Sequence, residues 1–244
     1  MSTAVITGSN RGLGFATAEA LAAAGTRVLL TSRREADAKE AAAALTAQGY
    51  EAHGIELDVT DTDSVARAAE WVRQNFGTLD ILVNNAGILP EATDGEEHEF
   101  ASLPLFRESF DTNVFGAVAM IEALLPMLRT SAAGRIVNVS TTMGSLAEQL
   151  NPQSPYYGMV LPAYQSSKAA LNAVTIALSK KLAETPTKVT SVCPGFVQTD
   201  LTPINRDQAP LTATEAAAVV VRAATLPADA PSGSFFDANG TVAW

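Results

Sequence analysis

Ala4-Val5-Ile6-Thr7-Gly8-Ser9-Asn10-Arg11-Gly12-Leu13-Gly14 is the stretch that decides the fold. A short apolar, β-prone run leads into a glycine turn. An Ala/Leu-rich helical stretch follows and is closed by Gly25. A strand, a glycine turn and a helix in that order make a phosphate cradle, because the N–H groups of the turn and of the helix start point at an anion. Glycines let the backbone approach a pyrophosphate and let the helix pack on the strand. The spacing is Gly-x-x-x-Gly-x-Gly, and no Gly-Lys-Ser/Thr follows, so this is not the loop of a P-loop NTPase.

Outward from this unit, strand-like and helix-like segments alternate, the pattern of βαβ units around a parallel sheet. Strands are predicted at 4–7, 27–31, 51–57, 81–84, 135–139, 189–193 and 233–235. Helices are predicted at 13–24, 36–48, 62–76, 106–129, 163–183 and 213–225. The expected fold is α/β: a single Rossmann-type doubly wound parallel sheet of about seven strands with helices on both faces. A ligand belongs outside the carboxyl ends of the strands, at the switch point. The 244 residues form one domain, with no linker that divides it. Residues 90–99 hold Glu91, Asp94, Glu96, Glu97 and Glu99 and read as a solvated acidic flap. Residues 144–162 are long, carry three prolines, and read as a functional loop.

Hydrophobic content of 47% and charged content of 17% suit a compact globule, expected to be cytoplasmic. The formal net charge of −10 argues against nucleic acid or an anionic membrane surface as partner. A dinucleotide is also an anion, so its site needs local positive potential. The single cysteine, Cys193, excludes an internal disulfide and reads as a packed core thiol. His53 and His98 are far apart, no cluster has metal-ligand spacing, and no metal is expected. No signal peptide and no apolar run of membrane-spanning length is read.

Tyr164 and Lys168 sit four apart in Ala163-Tyr164-Gln165-Ser166-Ser167-Lys168, at the start of a helical stretch. Positions i and i+4 share a helix face. An ammonium beside a phenol favours the phenolate, whose ordinary pKa is near ~10. Such a Tyr can exchange a proton with a substrate oxygen.

The chain as a whole resembles the short-chain dehydrogenase/reductase family. Thr7-Gly8-x-x-x-Gly12-x-Gly14, Asp58-Val59, Asn84-Asn85-Ala86-Gly87, Asn113, the Tyr164/Lys168 pair, and Pro194-Gly195 with Val197 and Thr199 match its motifs in order. The resemblance implies a nicotinamide cofactor held by Gly8, Asn10, Arg11, Gly12, Leu13 and Gly14 at the pyrophosphate. Asp58 and Val59 would lie at the adenine, with Asn85, Ala86 and Gly87 beside the cofactor. Tyr164 and Lys168 would lie at the nicotinamide ribose, and Pro194, Gly195, Val197 and Thr199 at the nicotinamide. It implies Tyr164 as proton donor, Lys168 as its partner, and Asn113 anchoring a proton-relaying water. A hydroxyl donor to the substrate oxygen is also implied. In Ser140-Thr141-Thr142-Met143-Gly144 the family register falls on Thr141 rather than Ser140, and the β-branched Thr narrows the rotamer choice.

The second strand ends in Thr31-Ser32-Arg33-Arg34. NAD-binding folds usually place an acid here on the ribose 2′-hydroxyl, whereas Arg accommodates a 2′-phosphate. Ser32 stands at the acid position, Arg33 follows, and Arg11 adds a second guanidinium, so NADPH (NADP+) is the expected cofactor. The insertion before Tyr164 and the short tail resemble the carbonyl-reductase branch. The function expected is NADPH-dependent reduction of a small-molecule carbonyl: a ketone, aldehyde or quinone. A dedicated biosynthetic ketoreductase or alcohol dehydrogenase on the same scaffold is the second enzyme reading. A non-catalytic cofactor sensor is the other class. A monomer and a homodimer are both compatible with the insertion.

Overall fold

A computed structural model describes residues 1–244. Seven strands are present: β1 (Thr3–Ile6), β2 (Arg27–Ser32), β3 (Ala52–Glu56), β4 (Ile81–Asn84), β5 (Arg135–Val139), β6 (Lys188–Val192) and β7 (Ser234–Phe236). They form one sheet in the order β3-β2-β1-β4-β5-β6-β7, with every pair parallel. This is the doubly wound α/β sheet expected. The chain runs outward from β1 to β3, then crosses back to β4 on the other side. The switch point therefore lies between β1 and β4, with a crevice beyond their carboxyl ends.

Alternating strand residues feed two cores, one on each sheet face. Val5, Leu29, Leu82, Ile136 and Val189 pack with α3 (Thr62–Phe76), α5 (Ala117–Leu128) and α7 (Pro162–Lys181), through Val72, Leu124 and Leu178. Ile6, Val28, Leu30, Val83 and Val137 pack with α1 (Gly12–Ala23), α2 (Glu35–Thr46) and α9 (Ala213–Ala224), through Leu21, Leu45 and Val220. Every residue of β1, β4 and β5 is buried, as covered parallel strands require.

Four differences from the sequence reading bear on the site. The stretch read as one helix over 106–129 begins earlier and has three parts: α4 (Leu103–Phe110), a π-helical turn Asp111–Gly116, and α5. A 3₁₀ turn, Pro90–Thr93, stands in the segment read as a solvated flap. The 144–162 loop contains a short helix, α6 (Leu146–Leu150), in which Ser145 caps Glu148 N–H. A further helix, α8 (Pro203–Gln208), is too short to show apolar periodicity and is started by the Thr202 hydroxyl. The continuous helix Leu103–Leu128 is also long and apolar enough to span a membrane, contrary to the sequence reading. More than half of it is buried, and Met120, Leu124 and Leu128 lie in the core, so it is a core helix of this fold.

Candidate active site

A cleft of about 1580 Å³ opens at the carboxyl ends of the strands. Every residue expected to hold a cofactor lines it, and so do Thr141, Tyr164 and Lys168. Asn113 lies just behind the lining, buried in the π-helical turn.

The glycine turn is fixed from below. Thr7 Oγ1 accepts the N–H groups of Asn85 and Ala86, each at 2.9 Å. The Asn85 side chain donates to the Thr7 and Gly8 carbonyls at 2.8 and 3.0 Å. Gly8 and Gly12 have φ of +61° and +57°, a region open to glycine. A Cβ on Gly14 would stand 2.6 Å from both Asn85 Nδ2 and the Gly8 carbonyl oxygen. No side chain caps α1. A backbone-only cradle with uncapped helix N–H groups fits an anionic phosphate group. Across the cleft, Gly12 faces Thr199, and Gly195 takes φ +86°.

The side of the cleft that holds the Tyr164/Lys168 pair is built on α7. Tyr164 and Lys168 are 7% and 4% exposed, so both are nearly desolvated. Lys168 Nζ donates to the Val139 carbonyl at 2.9 Å and stands 5.8 Å from the Tyr164 ring centre. Burial pushes the Lys168 ammonium down to about 8. Burial also pushes the Tyr164 phenol above its ordinary range, with Cys193 adding to the rise. The sequence reading had the ammonium lowering the phenol. Burial sets the direction here, because ionising the phenol would leave a phenolate out of water.

Asn113 Oδ1 accepts Ile88 N–H at 2.9 Å, and its Nδ2 donates to the Ile88 carbonyl and to Ser167 Oγ, both at 3.0 Å. It thus ties the segment after β4 to α7. Thr141 Oγ1 accepts Met143 N–H at 3.2 Å, which leaves its own hydrogen free to donate. Ser140 also lines the cleft, and its Oγ is buried without a partner.

The charged groups divide into pairs. Arg11, expected beside Arg33, reaches instead to Asp200 at 2.5 Å, and Arg206 holds the other oxygen of the same carboxylate. These guanidiniums, Arg206 first, keep the Asp200 carboxyl below its usual range. Arg34 makes a two-bond contact with Asp37, at 2.6 and 2.8 Å. Arg33 lines the same end of the cleft beside Ser32 and forms no ion pair.

The 144–162 loop contributes nothing to this lining. It is drawn elsewhere: Ala147 N–H donates to the Trp244 carbonyl and Gln149 to the Met143 carbonyl. The wall is formed instead by Ile88, Leu89 and Pro90, which the sequence reading missed as pocket residues, and by Thr93 of the acidic segment. Their signal was masked by the acidic residues among which they lie.

The comparisons agree with this geometry. The family model described as short chain dehydrogenase matches residues 2–209. The chain belongs to the short-chain dehydrogenase/reductase family. It is therefore related to oxidoreductases across its length. It is 36% identical to a (+)-neomenthol dehydrogenase of Arabidopsis thaliana, covering 96% of this chain and 95% of that protein. The structure of salutaridine reductase from Papaver somniferum superposes with a TM-score of 0.81 at 31% identity, covering 98% of this chain and all of that one. The NADPH-bound carbonyl reductase from chicken fatty liver superposes with a TM-score of 0.83 at 28% identity, over 100% of this chain and 99% of that one. The short-chain dehydrogenase/reductase pattern thus extends beyond the matched residues to the tail that carries β7.

Proposed function

We propose that the protein is an NADPH-dependent carbonyl reductase acting on a ketone, aldehyde or quinone. The observation that carries this is the buried Tyr164/Lys168 pair, set in the same cleft as the glycine turn. The nicotinamide supplies a hydride to the carbonyl carbon when the cofactor is bound. The glycine turn and the start of α1 would hold its pyrophosphate. Asp58 and Val59 would border the adenine, Ser32 and Arg33 the phosphorylated ribose, and Pro194, Gly195, Val197 and Thr199 the nicotinamide.

The chain's own residues account for the proton. The Tyr164 phenol is protonated at neutral pH, as an ordinary phenol already is and as burial reinforces, the state a proton donor needs. The oxygen that gains charge accepts from Tyr164 and from the Thr141 hydroxyl, whose geometry leaves its hydrogen available. Lys168 remains largely cationic at neutral pH and stabilises the phenolate left after transfer. Asn113 fixes the segment after β4 against Ser167 of α7. The intact Tyr164/Lys168 pair favours catalysis over cofactor sensing. The relatives named (+)-neomenthol dehydrogenase, salutaridine reductase and menthone neomenthol reductase support a carbonyl substrate. The test is depletion of NADPH by the purified protein over a panel of ketones, aldehydes and quinones, with isolation of the alcohol. No turnover on any class would overturn the reading.

A further inference from the structure

Helix α7 has no side-chain cap of its own. Its first residue is Pro162, which lacks an N–H, and Leu161 before it offers no capping oxygen. The next two N–H groups, of Ala163 and Tyr164, are orphans that need an acceptor. Both find it 72 and 73 residues away in sequence: Glu91 Oε1 accepts Ala163 N–H at 3.0 Å, and Oε2 accepts Tyr164 N–H at 2.7 Å. One carboxylate therefore closes the start of the helix, where negative charge is favoured by the helix dipole.

Glu91 sits in the 3₁₀ turn Pro90–Thr93, and Ile88, Leu89, Pro90 and Thr93 of the same segment line the cleft. The segment is gripped at two points. Asn113 holds the backbone of Ile88, and Glu91 holds the residue that carries the phenol. The cleft wall and Tyr164 are thereby fixed to one another, independently of the sheet.

We infer that Glu91 is a positioning residue for Tyr164, setting how the phenol faces the cleft wall. This rests on Tyr164 being the proton donor. The side chain touches no reacting atom and acts through the two amides.

The test compares Glu91→Ala, Glu91→Gln and Tyr164→Phe with the unmodified protein, using one ketone that the protein reduces. Small displacements of a reacting group are costly, so Glu91→Ala should lower kcat on the order of tenfold. Its KM for NADPH should stay within about twofold, since the glycine turn, Ser32, Arg33 and Lys168 are untouched. Glu91→Gln keeps one acceptor oxygen and should fall between the two. Amide hydrogen exchange at Ala163 and Tyr164 should quicken in the same order, while Leu171 and Leu178 keep their protection. The inference is overturned if both amides lose protection with kcat unchanged, or if they stay protected in Glu91→Ala. Should Glu91→Ala not fold, Glu91→Gln is judged by the same two criteria. Full activity in Tyr164→Phe would overturn the assignment beneath it, a separate outcome visible before either Glu91 variant is read.

Discussion

At the scale of the residue, the proposed chemistry turns on two buried groups and a hydroxyl. Tyr164→Phe removes the only phenol in the cleft lining while keeping the ring that fills the space. It should abolish most turnover and leave the unfolding midpoint and NADPH binding close to those of the unmodified protein. Among the hydroxyls, Thr141→Ala should cost more kcat than Ser140→Ala, by ~10²–10³ if Thr141 is the donor to the developing oxyanion. The reverse ranking would move that role to Ser140, whose unpartnered oxygen lies at the same end of the strand. Lys168 gives a pH signature. Its ammonium is present below about 8 and is lost above that, because burial has lowered its affinity for the proton. The kcat/KM for carbonyl reduction should therefore be level near neutrality and fall as pH rises through about 8. A profile that stays flat to about pH 10 would mean the ammonium is not required. The Tyr164/Lys168 pair was legible from its spacing together with the motifs that accompany it along the chain. Its electrostatics were not, because the depth of burial that raises the phenol is a property of the packed helix.

Among the elements, the turn between α4 and α5 is the sharpest case of structure exceeding sequence pattern. A π-helical turn adds a residue to the turn without changing composition, so apolar spacing over 106–129 reads as one plain helix. Its consequence is local: Asn113 is directed at Ile88 and Ser167. Gly116 ends the turn against the segment after β3, where an added Cβ would lie 2.7 Å from Val59 Cγ2 and 3.1 Å from the Val59 carbonyl oxygen. Gly116→Ala should cost about 1–3 kcal/mol, as overpacking does. Urea unfolding should show it as a lowered midpoint with an unchanged slope. An unchanged midpoint would mean that Val59 moves aside freely. The strands and long helices were readable because the strands are short apolar, β-prone runs and the helices are longer stretches of helix-forming residues between them. The short pieces, Pro90–Thr93, α6 and α8, were not, because four to six residues are too few for a period to show. The Glu91 contact with α7 was hidden for another reason. In sequence Glu91 is one acid among five in a polar segment, and only the fold selects it.

For the whole molecule, the question is how a chain with net charge −10 binds an anionic dinucleotide. The order of strands answers part of it, by gathering the glycine turn, the end of β2 and the start of α1 at one crevice. The fold class and the residues that line the cleft could be read ahead of the structure because motif order along the chain maps onto adjacency at the carboxyl ends of the strands. The pairing of charges could not. Arg11 and Arg34 are engaged by Asp200 and Asp37, which leaves Arg33 as the guanidinium beside Ser32 without an ion pair. Arg33 should then be the main source of discrimination, a charge-assisted contact worth ~1.5–3 kcal/mol before solvent screening. The double change Ser32→Asp with Arg33→Ile should reverse the preference, restoring an acid for a bare ribose and removing the phosphate partner. The central claim, an NADPH-dependent carbonyl reductase, is tested most directly by kcat/KM for the two cofactors, measured side by side on one ketone with the unmodified protein. The account predicts that NADPH is favoured on the order of tenfold or more, with one alcohol formed per cofactor consumed. Equal values for NADPH and NADH, or cofactor consumption without alcohol, would contradict it.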